Sequence, residues 1–202
     1  MDRDDVEIIE KTAAFQGYFR VDRYRLRHRR FDGGWSDVMT REVFERGQAV
    51  AVLPYDPQRD ELVLIEQFRM GAYAEGRAPW LIEVVAGIIE EGEDPAEVAR
   101  REMQEETGCE LLDLVPVADY LVSPGGTSQG VKLFCGRVNA EGAGGIHGLA
   151  HEHEDIRVMV EPAARIPEIL ASPGACDATT ILSLQWLMLN RDAIRWRWAA
   201  PR

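Results

Sequence analysis

Glu102, Glu105 and Glu106 crowd three carboxylates into five positions. On a helix, Glu102 and Glu106 are i and i+4 and share a face, while Glu105 lies at i+3 from Glu102. Like charges at that spacing cost a few tenths of a kcal/mol. Glu105 and Glu106 would also sit in the last helical turn, where the macrodipole disfavours anions by about 0.3–1 kcal/mol. Arg101 supplies one positive charge and could absorb part of the repulsion through an i,i+4 pair with Glu105. Two carboxylates remain, and a local rule broken this consistently calls for a cation. The candidate ligands are hard oxygens, which select Mg²⁺ or Mn²⁺ over zinc. A bare ExxEE run would more often be a solvated acidic face.

The element that must position these acids is a helix opening at Asp94, an N-cap followed by Pro95 at the first helical position, and closing at Gly108. Short, nearly continuous apolar runs at 49–53, 62–68 and 81–86 read as buried strands, the first two separated by the turn-forming PYDPQRD. Further strands are expected at 114–121, 131–138 and 156–160. A last helix begins near Asp177, with Ile181, Leu182, Trp186 and Leu189 proposed as its apolar stripe. Strands and helices in this order indicate a sheet covered on both sides.

Residues 1–46 differ from the rest. Arg23, Arg25, Arg27 and Arg29 recur at period two, which puts four guanidiniums on one face of a strand. The plain reading is the solvent side of a hairpin, since FDGGW supplies a glycine-rich turn; an anion-binding or subunit-facing strand is the sharper one. A strand over about 36–44 would complete a small antiparallel sheet. Such a sheet lacks the apolar side chains for its own core and implies packing on another subunit.

Of the 202 residues, 23 are basic and 35 acidic, a net charge of −12, which argues against a broad nucleic-acid or anionic-membrane face. The acidic N-terminus is unlike a signal peptide, and no run of 18 apolar residues occurs. Cys109, Cys135 and Cys176 form no CxxC pair and read as reduced thiols of a cytoplasmic protein.

The acidic run is framed at fixed spacing. Five residues separate Gly87 from Glu93, seven separate Glu93 from Arg101, and Arg101-Glu102-Met103-Gln104-Glu105-Glu106-Thr107-Gly108-Cys109 follows without a gap. This resembles the signature of the Nudix hydrolases, G-x5-E-x7-R-E-U-x-E-E-x-G-U, with Met103 and Cys109 at the two bulky aliphatic positions U. The resemblance implies an α+β fold, an α/β/α sandwich with a mixed central sheet flanked by helices. It also implies metal-dependent hydrolysis of a nucleoside diphosphate linked to a second group. Carried over, Glu102 and Glu106 are metal ligands together with the carbonyl of Ala86, Glu105 is a lesser candidate, and Gly87, Glu93, Arg101 and Gly108 are structural.

Elsewhere the chain is similar to the bacterial branch of that family that splits ADP-ribose. Pro124 in SPGGTS lies sixteen residues beyond Gly108, the placement of that branch's marker proline, although SPGG is turn chemistry in any protein. GIHGLAHEHEDIR resembles the branch's catalytic loop, with Glu152 as general base and Glu154 as a late-joining metal ligand; His151 and His153 as a metal pair is the weaker alternative. The resemblance implies a homodimer in which the N-terminal sheet (1–46) is swapped and the catalytic domain is 47–202. Tyr18 and Phe19 would stack the adenine across the dimer, Arg41 and Glu42 would contact the adenosine end, and Arg69 would pair with a phosphate. Ile88, Ser123, Pro124 and Gly125 would line the ribose side. Gln129 stands where the branch carries a glutamate for the terminal ribose. The expected reaction is therefore Mg²⁺-dependent cleavage of ADP-ribose to AMP and ribose 5-phosphate, with Mn²⁺ as the other candidate ion. The alternatives are hydrolysis of a nucleotide sugar such as GDP-mannose or ADP-glucose, and a non-catalytic ADP-ribose sensor.

Overall fold

The structure, a computed structural model, describes residues 1–172 and 176–199. Residues 173–175 and 200–202, all within the expected catalytic domain (47–202), lie outside the described part. The chain divides into two compact units: residues 1–48 with 120–130, and residues 49–119 with 131–202.

In the first unit, β1 (Val6–Gln16), β2 (Arg20–His28) and β3 (Met39–Glu45) form an antiparallel sheet in that order. Arg23, Arg25 and Arg27 lie on β2 and are paired within the sheet, while Arg29 lies just past its end. Arg23 pairs with Glu42 at 2.8 Å, Arg25 with Glu10 at 3.4 Å and Arg27 with Glu7 at 2.6 Å. Arg29 lies over the Trp35 ring at 4.4 Å. The three acids are cross-strand partners set by register. The Ser123–Gln129 turn belongs to this unit: Phe44 N–H donates to the Gly126 carbonyl (2.8 Å), and the Thr127 hydroxyl donates to that of Phe44 (2.8 Å).

The second unit is built on a mixed sheet. Its strands are β4 (Gln48–Asp56), β5 (Glu61–Phe68), β6 (Trp80–Glu83), β7 (Val85–Ile89), β8 (Asp113–Leu121), β9 (Gly130–Arg137), β10 (Gly145–His147) and β11 (Ile156–Pro162). The order is β10-β11-β5-β4-β9-β8, with β6 paired to β5 and β7 to β4; β4 and β9 run parallel. The helices are α1 (Met70–Ala74), α2 (Pro95–Thr107), α3 (Ile166–Ala171) and α4 (Ala178–Ala199). Val50 and Val52 of β4 join Val63, Ile65, Val98, Ala99, Met103 and Ile156 in one buried cluster that includes α2. Residues of the opposite parity, Ala51, Leu53 and Tyr55, are buried as well, and the Tyr55 ring meets Trp198 of α4 at 6.5 Å. A strand covered on both faces reads as an unbroken apolar run, which is why β4 and β5 were legible.

Three expectations need correction. The segment 81–86 is two strands, because Val84 leaves the ladder and its N–H donates to the Thr180 hydroxyl (3.0 Å). The buried stripe of α4 runs through Leu184, Leu187, Ile194 and Trp198, whereas Leu189 is 85% exposed. Thr180 and Ser183 are buried beside that stripe while Met188, Leu189 and Trp196 are exposed, so apolar spacing alone does not mark the buried face; Asp177 accepts from the Thr180 N–H (2.8 Å) at the start of the helix. Finally, Arg101 bonds Glu93 (2.5 Å) and lies 3.4 Å from Glu102, not on Glu105.

Candidate active site

Helix α2 begins as the sequence requires. Asp94 accepts from the N–H groups of Ala96 (2.8 Å) and Glu97 (3.2 Å), Pro95 follows, and Gly108 closes the helix at φ 68°. A side chain at Gly108 would be strained by that φ and would also meet the His147 ring at 3.0 Å. Glu93 accepts from the Glu90 N–H (2.9 Å) and from Arg101, so the loop is tied to the helix at both carboxylate oxygens. Arg101 holds the Glu93 carboxyl below the ordinary carboxylate range, and the Glu90 N–H adds to that.

The helix face so positioned carries two acids with little counter-charge. Glu106 is 2% exposed and accepts one hydrogen bond, from the Ala86 N–H at 3.2 Å. Burial pushes its carboxyl well above the usual range; the Ala86 N–H opposes this, and the charges of Glu102 and Glu154 add to it. Glu102 is 17% exposed, and burial pushes it up to about 7, with Arg101 opposing and Glu105 and Glu154 adding. Its carboxylate lies directly over Gly87: a Cβ there would sit 2.2 Å from Glu102 Cδ. Gly87 is a glycine because an acid side chain must cross its backbone. Ala86, Gly87, Glu102 and Glu106 are thus brought together as the motif implies.

The rest of the set is less assembled. Glu154 accepts from the Leu149 N–H (3.2 Å), while Glu152 is exposed on a single 3-10 turn, Ala150–Glu152, beside an exposed His151. The Gly148 N–H donates to the Glu105 carbonyl (3.3 Å), fastening this loop to the end of α2. Among the described residues no three histidine, cysteine, aspartate or glutamate side chains converge as a metal cage. The Glu102–Glu106 pair nevertheless fits a hard divalent ion, being buried, oxygen-only and short of cations.

Arg69, expected at a phosphate, donates from Nε to both Glu83 oxygens (2.9 and 3.0 Å) and from Nη2 to one of them (2.6 Å). Ile88 is exposed on β7. In the first unit Tyr18 is 92% exposed and meets Phe19 edge-on at 4.8 Å, and Phe19 meets Phe44 likewise at 5.0 Å. Arg41 donates to the Thr40 carbonyl (2.9 Å), and Glu42 is engaged by Arg23. Gln129 uses its backbone, donating to the Thr127 hydroxyl (3.2 Å) and accepting from the Val122 N–H (3.0 Å). Ser123 caps the turn through its carbonyl, with exposed Pro124 and Gly125 following. Glu83 and Gln67 were missed from sequence. The available signal was a lone acid inside the apolar run LIEVVA, which demands a buried partner.

Residues 45–171 match the NUDIX domain model. The chain is 47% identical over 197 residues to an ADP-ribose pyrophosphatase of Escherichia coli (strain K12), covering 98% of this chain and 94% of that one. It is 39% identical to an ADP-ribose pyrophosphatase of Haemophilus influenzae (96% and 91% covered) and 32% identical to a GDP-mannose pyrophosphatase of Cronobacter sakazakii (92% and 96% covered). The fold is shared with a crystal structure described as an ADP compounds hydrolase, at TM-score 0.72 and 21% identity over 95% of this chain and 97% of that one. With the glutamate helix, its glycine crossing and its arginine tie all in place, the chain belongs to the NUDIX hydrolase family.

Proposed function

We propose that the protein hydrolyses the pyrophosphate bond of ADP-ribose, giving AMP and ribose 5-phosphate, with Mg²⁺ as cofactor and Mn²⁺ as a substitute. The observation that carries this is the burial of Glu102 and Glu106 over the Ala86–Gly87 backbone, with Glu106 lacking an ion-pair partner among the described residues. Glu102, Glu106 and the Ala86 carbonyl would hold the ion, with Glu154 joining from its loop and Glu105 in a lesser role. A divalent cation there supplies neutralisation of the pyrophosphate charge and acidification of water. Glu152, exposed on the glycine-rich loop with His151 Nε2 at 3.6 Å, would take the proton of the attacking water. The exposed Tyr18–Phe19 pair suits adenine stacking in a homodimer built through the N-terminal sheet, with Arg41 and Glu42 at the adenosine end. By the family resemblance Ile88 would line the ribose side, and Ser123, Pro124, Gly125 and Gln129 would be the substrate contacts of the other unit; the free thiols suit a cytoplasmic setting. No helix of the described residues is long and apolar enough to cross a membrane.

Gln129 favours a second substrate, because an amide in place of a carboxylate loosens selection of the terminal ribose. GDP-mannose or ADP-glucose is that alternative. Product analysis with ADP-ribose, GDP-mannose, ADP-glucose and NADH, each with Mg²⁺ and with EDTA, tests both. Metal-dependent AMP and ribose 5-phosphate, formed far faster than any other product, is the expected result. Preference for a nucleotide hexose would overturn the substrate, and no turnover at all would favour a sensor.

A further inference from the structure

The positive charge of Arg69 opposes the raised carboxyl of Glu106, and its guanidinium is held by Glu83. Its Nε–Nη2 edge is taken by Glu83, which is 5% exposed and also accepts from the Gln67 amide at 3.2 Å. The arginine side chain itself is 44% exposed, and among the described residues its Nη1 makes no hydrogen bond. The pair buries the acid and leaves the guanidinium tip open to a ligand. The grip is built on the sheet. Arg69 follows β5 directly, with its N–H on the Pro79 carbonyl (2.7 Å), while Glu83 lies on β6 opposite Ile65 of β5. Glu83 also stands three residues before Ala86, whose N–H holds Glu106, so one segment spaces the cation from the acid pair.

We propose that Glu83, backed by Gln67, is a positioning residue for phosphate: it locks Arg69 so that its free guanidinium edge receives an oxygen of the substrate's diphosphate beside the Glu102–Glu106 pair. The proposal rests on the hydrolase reading only in taking the ligand to be a diphosphate. An arginine fixed along one edge has lost its rotamer freedom before the ligand arrives, and the anion gains the benefit.

The test is a double-variant cycle of Glu83→Gln and Arg69→Ala, with Glu83→Asp as the conservative change. The readouts are kcat, KM, melting temperature and calorimetric binding of ADP-ribose in EDTA, where nothing turns over. Glu83→Gln should raise KM and weaken binding about tenfold, the size of one charge-assisted hydrogen bond, with kcat held within about threefold. Glu83→Asp should recover most of the loss, and Glu83→Gln should change nothing further once Arg69 is alanine. Additive losses, or a lower melting temperature with unchanged KM, would overturn the proposal in favour of a purely structural pair. A fall in KM would overturn it differently, making Glu83 a competitor for Arg69. Arg69→Lys, which keeps the charge without the fork, serves the cycle if Arg69→Ala does not fold. Should the wild type prefer GDP-mannose, the substrate reading fails and the same cycle on GDP-mannose still decides the role of Glu83.

Discussion

Two regions of this molecule concentrate charge of one sign, and they resolve it oppositely. On β2 the row of guanidiniums meets Glu42, Glu10, Glu7 and the Trp35 ring, each delivered by strand register, and all at the surface. On α2 the carboxylates turn inward, and their cations are held mainly by other acids: Arg101 by Glu93, with a longer 3.4 Å contact to Glu102, and Arg69 by Glu83. Four aligned charges with partners describe a solvated sheet. Two buried carboxylates, only loosely matched by an arginine at Glu102, describe a binding site, because native chains rarely leave such a cost in place.

The contrast is most sharply tested on α2. Glu106→Gln should reduce turnover by orders of magnitude while circular dichroism stays native and the melting temperature in EDTA does not fall, since a buried charge is removed. Near-normal turnover would place Glu106 with the arginine row, as structure alone. Next in size, Glu152→Gln should lower kcat by about 10²–10⁴-fold with little change in KM, as removal of a general base does.

A smaller effect is thermodynamic. Glu102 is raised to about 7 in the folded protein, so between the unfolded value near 4.5 and 7 the native state binds more protons than the unfolded one. Without metal, stability should therefore fall as pH rises through that window, by at most about 3 kcal/mol from Glu102, and the raised carboxyl of Glu106 adds a fall of the same sign. Added Mg²⁺ should raise the melting temperature more at pH 8 than at pH 5.5, and Glu102→Gln should make the metal-free profile shallower. Calorimetric melts at several pH values check this; a profile that rises with pH would refute the burial of that charge. The smallest effect belongs to β2, where Arg25→Ala should change stability by under about 1 kcal/mol and leave kcat untouched.

What sequence reading could reach follows from these same residues. Helix α2 was legible to its ends because Asp94, Pro95 and Gly108 each have a local reason to be there. Strand β1 was not located, because bulges between Ile8 and Glu10 and between Ala13 and Phe15 break the alternation that would reveal it. Helices α1 and α3 are too short to display a period. The acids and their frame were readable as a pattern, but that Glu102 lies across Gly87 is a contact of the folded chain. The clamp on Arg69 was invisible for a similar reason: Gln67 and Glu83 meet only through strand pairing.

The hydrogen bond from Val84 to Thr180 spans 96 residues of chain. It fixes the break between β6 and β7, and so the placement of Ala86 and Gly87 under the acids. Closing so long a loop is slow and entropically costly, and it belongs late in folding. During synthesis the acidic helix is therefore made long before the backbone beneath it is secured, and a nascent chain acquires a competent site only when its final helix docks.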